Sequence, residues 1–271
     1  MSGTDAKQTN IPLEQRSTDT RAADQDAVEA IGIGLPREWA AFPLSRAAFD
    51  THIRQQARDL RAAGASIAEV RRHELLTRQL SELLLAEDAR YAATLTAVVA
   101  SETPDDATTS SAPDEIGMDA EPEEVSLLAA AVAIFVRDRS SLGAPSPLTT
   151  DMLLHGLSSE DASDRVLDLD PPEAVVLPAG RAVRLARLHR SYVDGNPIPM
   201  ESIAQTYLIP FDRGQKLCTL QFVTPNVEQG GAFSRLFEAG ARTLRFFRPG
   251  EPTTFRAEDP APEPSPSTED R

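Results

Sequence analysis

Few residues in this chain are of types that do chemistry, and their spacing groups them poorly. Gly32-Ile33-Gly34 could open a phosphate-cradling loop, but GIGLPR lacks the third glycine, and Pro36 blocks the helix such a loop needs. The four histidines (His52, His73, His155, His189) show neither an HExxH motif nor the paired spacing of a metal site. His52 and His73 read as solvent-leaning positions on helices. Cys218 is the single cysteine, so no intrachain disulfide can form. It sits in the apolar run LCTLQFV and reads as a small buried hydrophobe, because a nucleophile would need a neighbouring base. Asp164, Asp168, Asp170 and Glu173 are close enough to suggest a cation site. They lack the glycine and regular spacing of a calcium loop, and read as a solvated acidic connection. No catalytic residue, metal ligand or cofactor site emerges.

Two further groups concern contact rather than catalysis. Arg181, Arg184, Arg187 and Arg190 make one dense basic run. On a strand a three-residue spacing alternates faces, so the four cannot form one patch, and pairing with nearby carboxylates is the expected use. An anion or an acidic partner is the alternative. The turn Asp212-Arg213-Gly214 sits beside Phe211 at the tip of an expected hairpin. There Phe211 either plugs the end of the core or, with Arg213, presents residue types enriched in interfaces to a protein partner.

Charge narrows the class of partner. The chain has 271 residues and a net charge of −15, with 27 basic residues of which only Lys7 and Lys216 are lysine. Residues 101–124 hold nine acids and no base, and the tail from Gly250 adds a net −4, so nearly all the acidity sits in these two segments. With few apolar residues and several prolines, both are expected to be disordered and exposed. A near-neutral remainder argues against nucleic acid, which would need a basic footprint. VSLLAAAVAIFV, over 125–136, is the longest apolar run, too short for the ~20 residues of a membrane-spanning helix. The N-terminal stretch shows no signal-like apolar region, so the expected location is cytoplasmic, away from membranes.

The elements that must position these residues can be read in order. Residues 1–26 read as a disordered leader and EAIGIGLP as a strand. Ser45 can cap a helix with Phe49, Ile53, Ala57 and Leu60 inward, ended by Gly64. Ser66 and Glu69 have the spacing of a capping box for a second helix, with Val70, Leu76, Leu80, Leu83 and Leu84 as its expected buried stripe. RYAATLTAVVA (90–100) and VSLLAAAVAIFV read as antiparallel strand partners in mid-sheet, apolar on both faces. A helix is the alternative for the second, because Ala and Leu favour helix. Ser146-Pro147 should start a helix, residues 158–173 form an acidic connection, and EAVVLP and RAVRLARLH a hairpin. TYLIPF and LCTLQFV form another hairpin, followed by Asn226 as N-cap of a last helix carrying Phe233, Leu236, Phe237, Gly240 and Leu244.

With GLPREW (34–39), VLPAGRAVRL (176–185), YLIPFDRGQKLCTLQFVTPN (207–226) and FSRLFEAGARTLRF (233–246) in view, the chain resembles the PsbP-like superfamily. That superfamily includes the Ran-binding Mog proteins and an uncharacterised actinobacterial group. The likeness covers roughly two thirds of the chain and implies an α/β (α+β) fold, a central antiparallel sheet packed between helical layers, over about residues 27–248. It implies no shared active site. The expected function is a non-enzymatic protein-interaction module; an adaptor or immunity-type partner of a secreted effector, and a small hydrolase with a site assembled from distant residues, are the alternatives.

Overall fold

The structure, a computed structural model, describes residues 6–12, 28–100, 125–144, 146–158, 166–191 and 200–251. The expected disorder of residues 101–124 and of the tail beyond Glu251 falls outside these residues, as does most of the leader. Ala6–Pro12, expected to belong to that leader, instead form strand β1, paired antiparallel with β2 (Ala30–Pro36). A run such as TNIP looks unstructured alone because a strand's ladder hydrogen bonds are all made to a neighbouring strand.

Seven strands form one antiparallel sheet in the order β3-β4-β5-β9-β8-β7-β6, in which β3 is the two-residue strand Ala40–Ala41, and β1, β2 and the short β10 (Arg245–Phe247) form a second. β4 (Tyr91–Ala100) pairs with β5 (Val125–Asp138), from Tyr91 opposite Ile134 to Ala100 opposite Val125, as their two-sided apolar pattern predicts. β5 continues onto β9 (Lys216–Thr224), which pairs with β8 (Met200–Phe211) as the expected hairpin. At its turn Asp212 and Arg213 take φ near 50° and Gly214 +79°. A Cβ at Gly214 would lie 2.5 Å from the Leu148 carbonyl oxygen, so glycine is needed for close approach as well as for handedness.

Alternation along the strands splits the core in two. Tyr91 and Ala93 of β4, Val132 and Ile134 of β5, Leu220 and Phe222 of β9, and Tyr207 and Ile209 of β8 point to one face, where β2 and helix α4 (Gly230–Ala241) cover them. Phe222 stacks on Phe237 with ring centroids 5.0 Å apart and takes the edge of Trp39 at 6.4 Å. Ala92, Ala133 and Phe135 point the other way, onto Phe42 ahead of α1 and onto Phe49 and Leu84 from the hairpin of α1 (Arg46–Ala62) and α2 (Ile67–Ala86). The class is therefore mixed α and β with a large antiparallel sheet. The layer opposite α1 and α2 is one helix plus a second sheet, rather than helices alone.

Four local expectations change. EAVVLP and RAVRLARLH pair as the expected hairpin, but residues 166–172, read as part of an acidic connection, extend its first strand into β6 (Val166–Leu177), paired with β7 (Gly180–Ser191) across two register irregularities around Pro171 and Pro172. The helix expected at Ser146 begins instead at Thr150 and runs to Ser158 as α3. Asn226 does not cap: its side chain makes no bond to the turn that follows, and α4 begins at Gly230. Of the stripe expected on α2, Val70 and Leu84 are buried, but His73, Thr77 and Ser81 fill the other inward positions. Leu76 and Leu80 are half-buried and Leu83 is 42% exposed.

Candidate functional site

A groove opens between α2 and the sheet. Leu76, Leu80 and Leu83 form the helix wall; Ala129, Ala131 and Val223 form the floor, and Met200 stands opposite. The enclosed space is about 200 Å³, and a further ~80 Å³ continues it toward the N-terminal end of α2, past His73 to Glu69, Arg72 and Asn226. The capping box that starts α2 is complete. Ser66 Oγ accepts from the Glu69 backbone N–H, and Glu69 accepts from the Ser66 N–H at 2.8 Å.

Polar groups lie beneath α2, but they are bonded to one another. His73 Nε2 lies 3.3 Å from Gln56 Oε1 and 3.4 Å from Thr77 Oγ1, and Gln56 Nε2 donates to Thr94 Oγ1 at 3.3 Å. Thr77 and Ser81 donate their hydroxyls to carbonyls four residues back, at 2.8 and 2.7 Å. That back-bonding lets a helix bury hydroxyls without orphaning them. The exposed positions expected for His52 and His73 are thus not observed. His73 is buried, and His52 packs edge-on against Phe42 at 4.8 Å with its Nε2 buried and without a hydrogen-bond partner. Burial pushes both rings' pKa values below the usual histidine value. For His73 this outweighs the upward pull of Glu74, and nearby His52 adds to the lowering.

Charge around the groove is mostly committed. Glu69 is held by the capping box, and Glu201, beside Met200, accepts from Arg190 Nε at 2.8 Å. Arg72 forms no ion pair among the described residues. The arginine run on β7 goes to carboxylates, as its alternation predicts. Arg184 pairs with Glu173 at 2.7 Å and Asp170 at 3.7 Å, Arg187 with Asp168 at 2.7 Å, and Arg181 with Asp151 at 3.8 Å. Asp168, Asp170 and Glu173 are therefore ion-pair partners on β6, and Asp164 lies outside the described residues.

The remaining reactive groups do not converge. Cys218 is fully buried and its thiol is pushed up to about 12 by burial, which keeps it protonated. Tyr207 is also pushed up to about 12, chiefly by burial, with its hydroxyl bonded by Gln205. Among the described residues no group of three His, Cys, Asp or Glu side chains gathers as for a metal ion. None of the described helices is long and apolar enough to cross a membrane.

At the hairpin tip the two candidate contact residues part. Phe211 is 6% exposed and lies on Phe246 with centroids 4.7 Å apart, plugging the end of the core, while Arg213 is exposed on the turn. Sequence reasoning missed the groove because it assigned Leu76, Leu80 and Leu83 to the core. The signal available was the polar stripe His73, Thr77, Ser81, at the same helical spacing on the neighbouring face.

No known family profile and no curated protein matches the chain. Solved structures do. A crystal structure of LpqN, described as involved in cell envelope biogenesis of Mycobacterium tuberculosis, is similar over 89% of this chain and 91% of its own, at 9% identity and a TM-score of 0.35.

Proposed function

We propose that this chain is a non-enzymatic binding module and that the groove along α2 is its binding site. One observation carries this reading. An apolar concavity is walled by Leu76, Leu80 and the exposed Leu83, while His73, Thr77 and Thr94 beneath it bond within one side-chain network. Ligand sites are apolar concavities of this kind, whereas catalysis would need a nucleophile or base brought within reach of its substrate. The resemblance carried by the segments from GLPREW to FSRLFEAGARTLRF points the same way, because that superfamily shares no active site. Contact with a protein partner through the hairpin tip is the weaker reading, since Phe211 faces the core and only Arg213 is presented.

The test is a neutral apolar reporter, N-phenyl-1-naphthylamine, titrated against the folded protein. Saturable binding at one site is expected. Leu83→Gln should weaken it about tenfold, in keeping with the apolar area lost from one leucine, without moving the melting temperature. A folded protein that shows no saturable binding overturns the proposal.

A further inference from the structure

The two ends of the groove differ, and the difference specifies a ligand. Over Leu76, Leu80, Leu83 and Met200 the walls are hydrocarbon, and His73, Thr77 and Thr94 at the bottom already bond within the protein network. A peptide lying there would bring one N–H and one C=O per residue, against which the lining offers only the side chains of Gln79, Glu201 and Ser202. A hydrocarbon chain brings none. Toward the N-terminal end of α2 the space reaches Glu69, Arg72 and Asn226. Glu69 is taken by the Ser66 backbone N–H, and Asn226 by β5, its Oδ1 accepting from the Ala129 N–H and its Nδ2 donating to the Leu127 carbonyl, each at 2.8 Å. Arg72 is left as the charge at this end without an ion-pair partner among the described residues.

We infer that the groove takes a single-chain amphiphile with an anionic headgroup, of which a fatty acid carboxylate is the simplest case. The acyl chain lies along Leu76, Leu80 and Leu83, and the carboxylate sits at Arg72. At 1.5 Å of rise per residue, Arg72 and Leu83 are about 16 Å apart along the helix, which suits a medium-length chain. The guanidinium fork matches a carboxylate geometrically. Because Arg72 is exposed, its contribution is modest. The hydrocarbon supplies most of the affinity, and the headgroup sets the preference. This inference rests on the groove being the binding site, and the experiment separates the two.

Decanoate, decanol and decyltrimethylammonium, each below its self-association limit, compete for the N-phenyl-1-naphthylamine signal in low salt. All three should displace it, with decanoate about three- to fivefold tighter than decanol and decyltrimethylammonium the weakest. Arg72→Gln should remove the decanoate preference and leave decanol unchanged. Leu83→Gln should weaken all three together. If decanol and decanoate compete equally and Arg72→Gln alters neither, the headgroup assignment is overturned and the groove stands. If none of the three displaces a reporter that does bind, the assignment to an acyl chain is overturned. A reporter that fails to bind at all overturns the groove itself.

Discussion

Phe222 shows how tightly one side chain can fix its surroundings. It is 1% exposed, stacked on Phe237 and held at its edge by Trp39, so it has no free side into which to move. Its ring reaches across to α4 at Gly240, where a Cβ would lie 3.0 Å from Cζ and 3.3 Å from Cε1. The glycine, unfavourable in a helix by nearly 1 kcal/mol relative to alanine, is kept for that approach. Phe222→Ala should cost roughly 3–5 kcal/mol, the usual range for emptying an aromatic core site. Gly240→Ala gains helix propensity yet should be net destabilising by about 1–2 kcal/mol, because the ring it meets is clamped. Urea denaturation of Gly240→Ala, Phe222→Leu and the double variant checks this. The pair should cost less than the sum of the singles, since the smaller side chain makes room for the new methyl. Additive costs would mean that the two sites do not touch.

Elements were legible where one pattern implied one neighbour. β4 and β5 are apolar on both faces, and only a mid-sheet place with cover on both sides accommodates that. α2 was legible as a helix but not in its rotation. Two stripes of helical spacing run along it, one leucine-rich and one of His73, Thr77 and Ser81, and periodicity cannot say which faces the sheet when the polar one can satisfy itself internally. The groove was hidden for the same reason. The first half of β6 escaped because its acids and Pro171-Pro172 look like loop, while an exposed strand stabilised by cross-strand arginines needs no apolar face. Asn226 is the clearest lesson. Its position before a helix suggested a cap, yet past the last β5–β9 register pair, Ala131 with Val223, side chains carry the ladder on. Thr224 Oγ1 donates to the Ala129 carbonyl at 2.7 Å, and the Asn226 amide bonds both Ala129 and Leu127. An N-cap accepts aspartate as readily as asparagine, but this bridge also needs the amide donor. Asn226→Ala loses two part-buried hydrogen bonds and should cost about 2 kcal/mol, and Asn226→Asp, which keeps the acceptor for the Ala129 N–H but sets a carboxylate against the Leu127 carbonyl, should cost a similar amount. Near-wild-type stability of Asn226→Asp, measured by urea denaturation, would restore the capping role.

At the scale of the whole molecule, the α1–α2 hairpin is docked on the sheet partly through two histidines, His52 and His73, whose charged forms burial disfavours. Burial lowers the pKa values of His52, His73 and His189, with Arg187 adding to the effect on His189. Each is easier to protonate in the unfolded chain, whose histidines titrate near 6.5. Below that pH the unfolded state holds more protons than the folded one, so stability falls as the pH drops through 6.5 and levels only below the folded-state values. Above about pH 7.5 the rings are neutral in both states and contribute no pH dependence. His73 should carry a large share, because a charge on it would sit beneath α2 between Gln56 and Thr77, where little of the ring reaches solvent. Urea denaturation between pH 7.5 and 5.5 avoids the range in which carboxylates take over. Over that window the unfolding free energy should decline by at most about 1.4 kcal/mol per pH unit for each proton taken up. His73→Gln, which keeps an amide able to bond Gln56 and does not titrate, should flatten the decline even if it lowers stability at every pH. Because the groove shares α2, binding of the neutral reporter should weaken over the same range in the wild type and less in His73→Gln. Parallel declines in the two proteins would remove His73 as the source and leave His52 and His189 to account for the pH dependence.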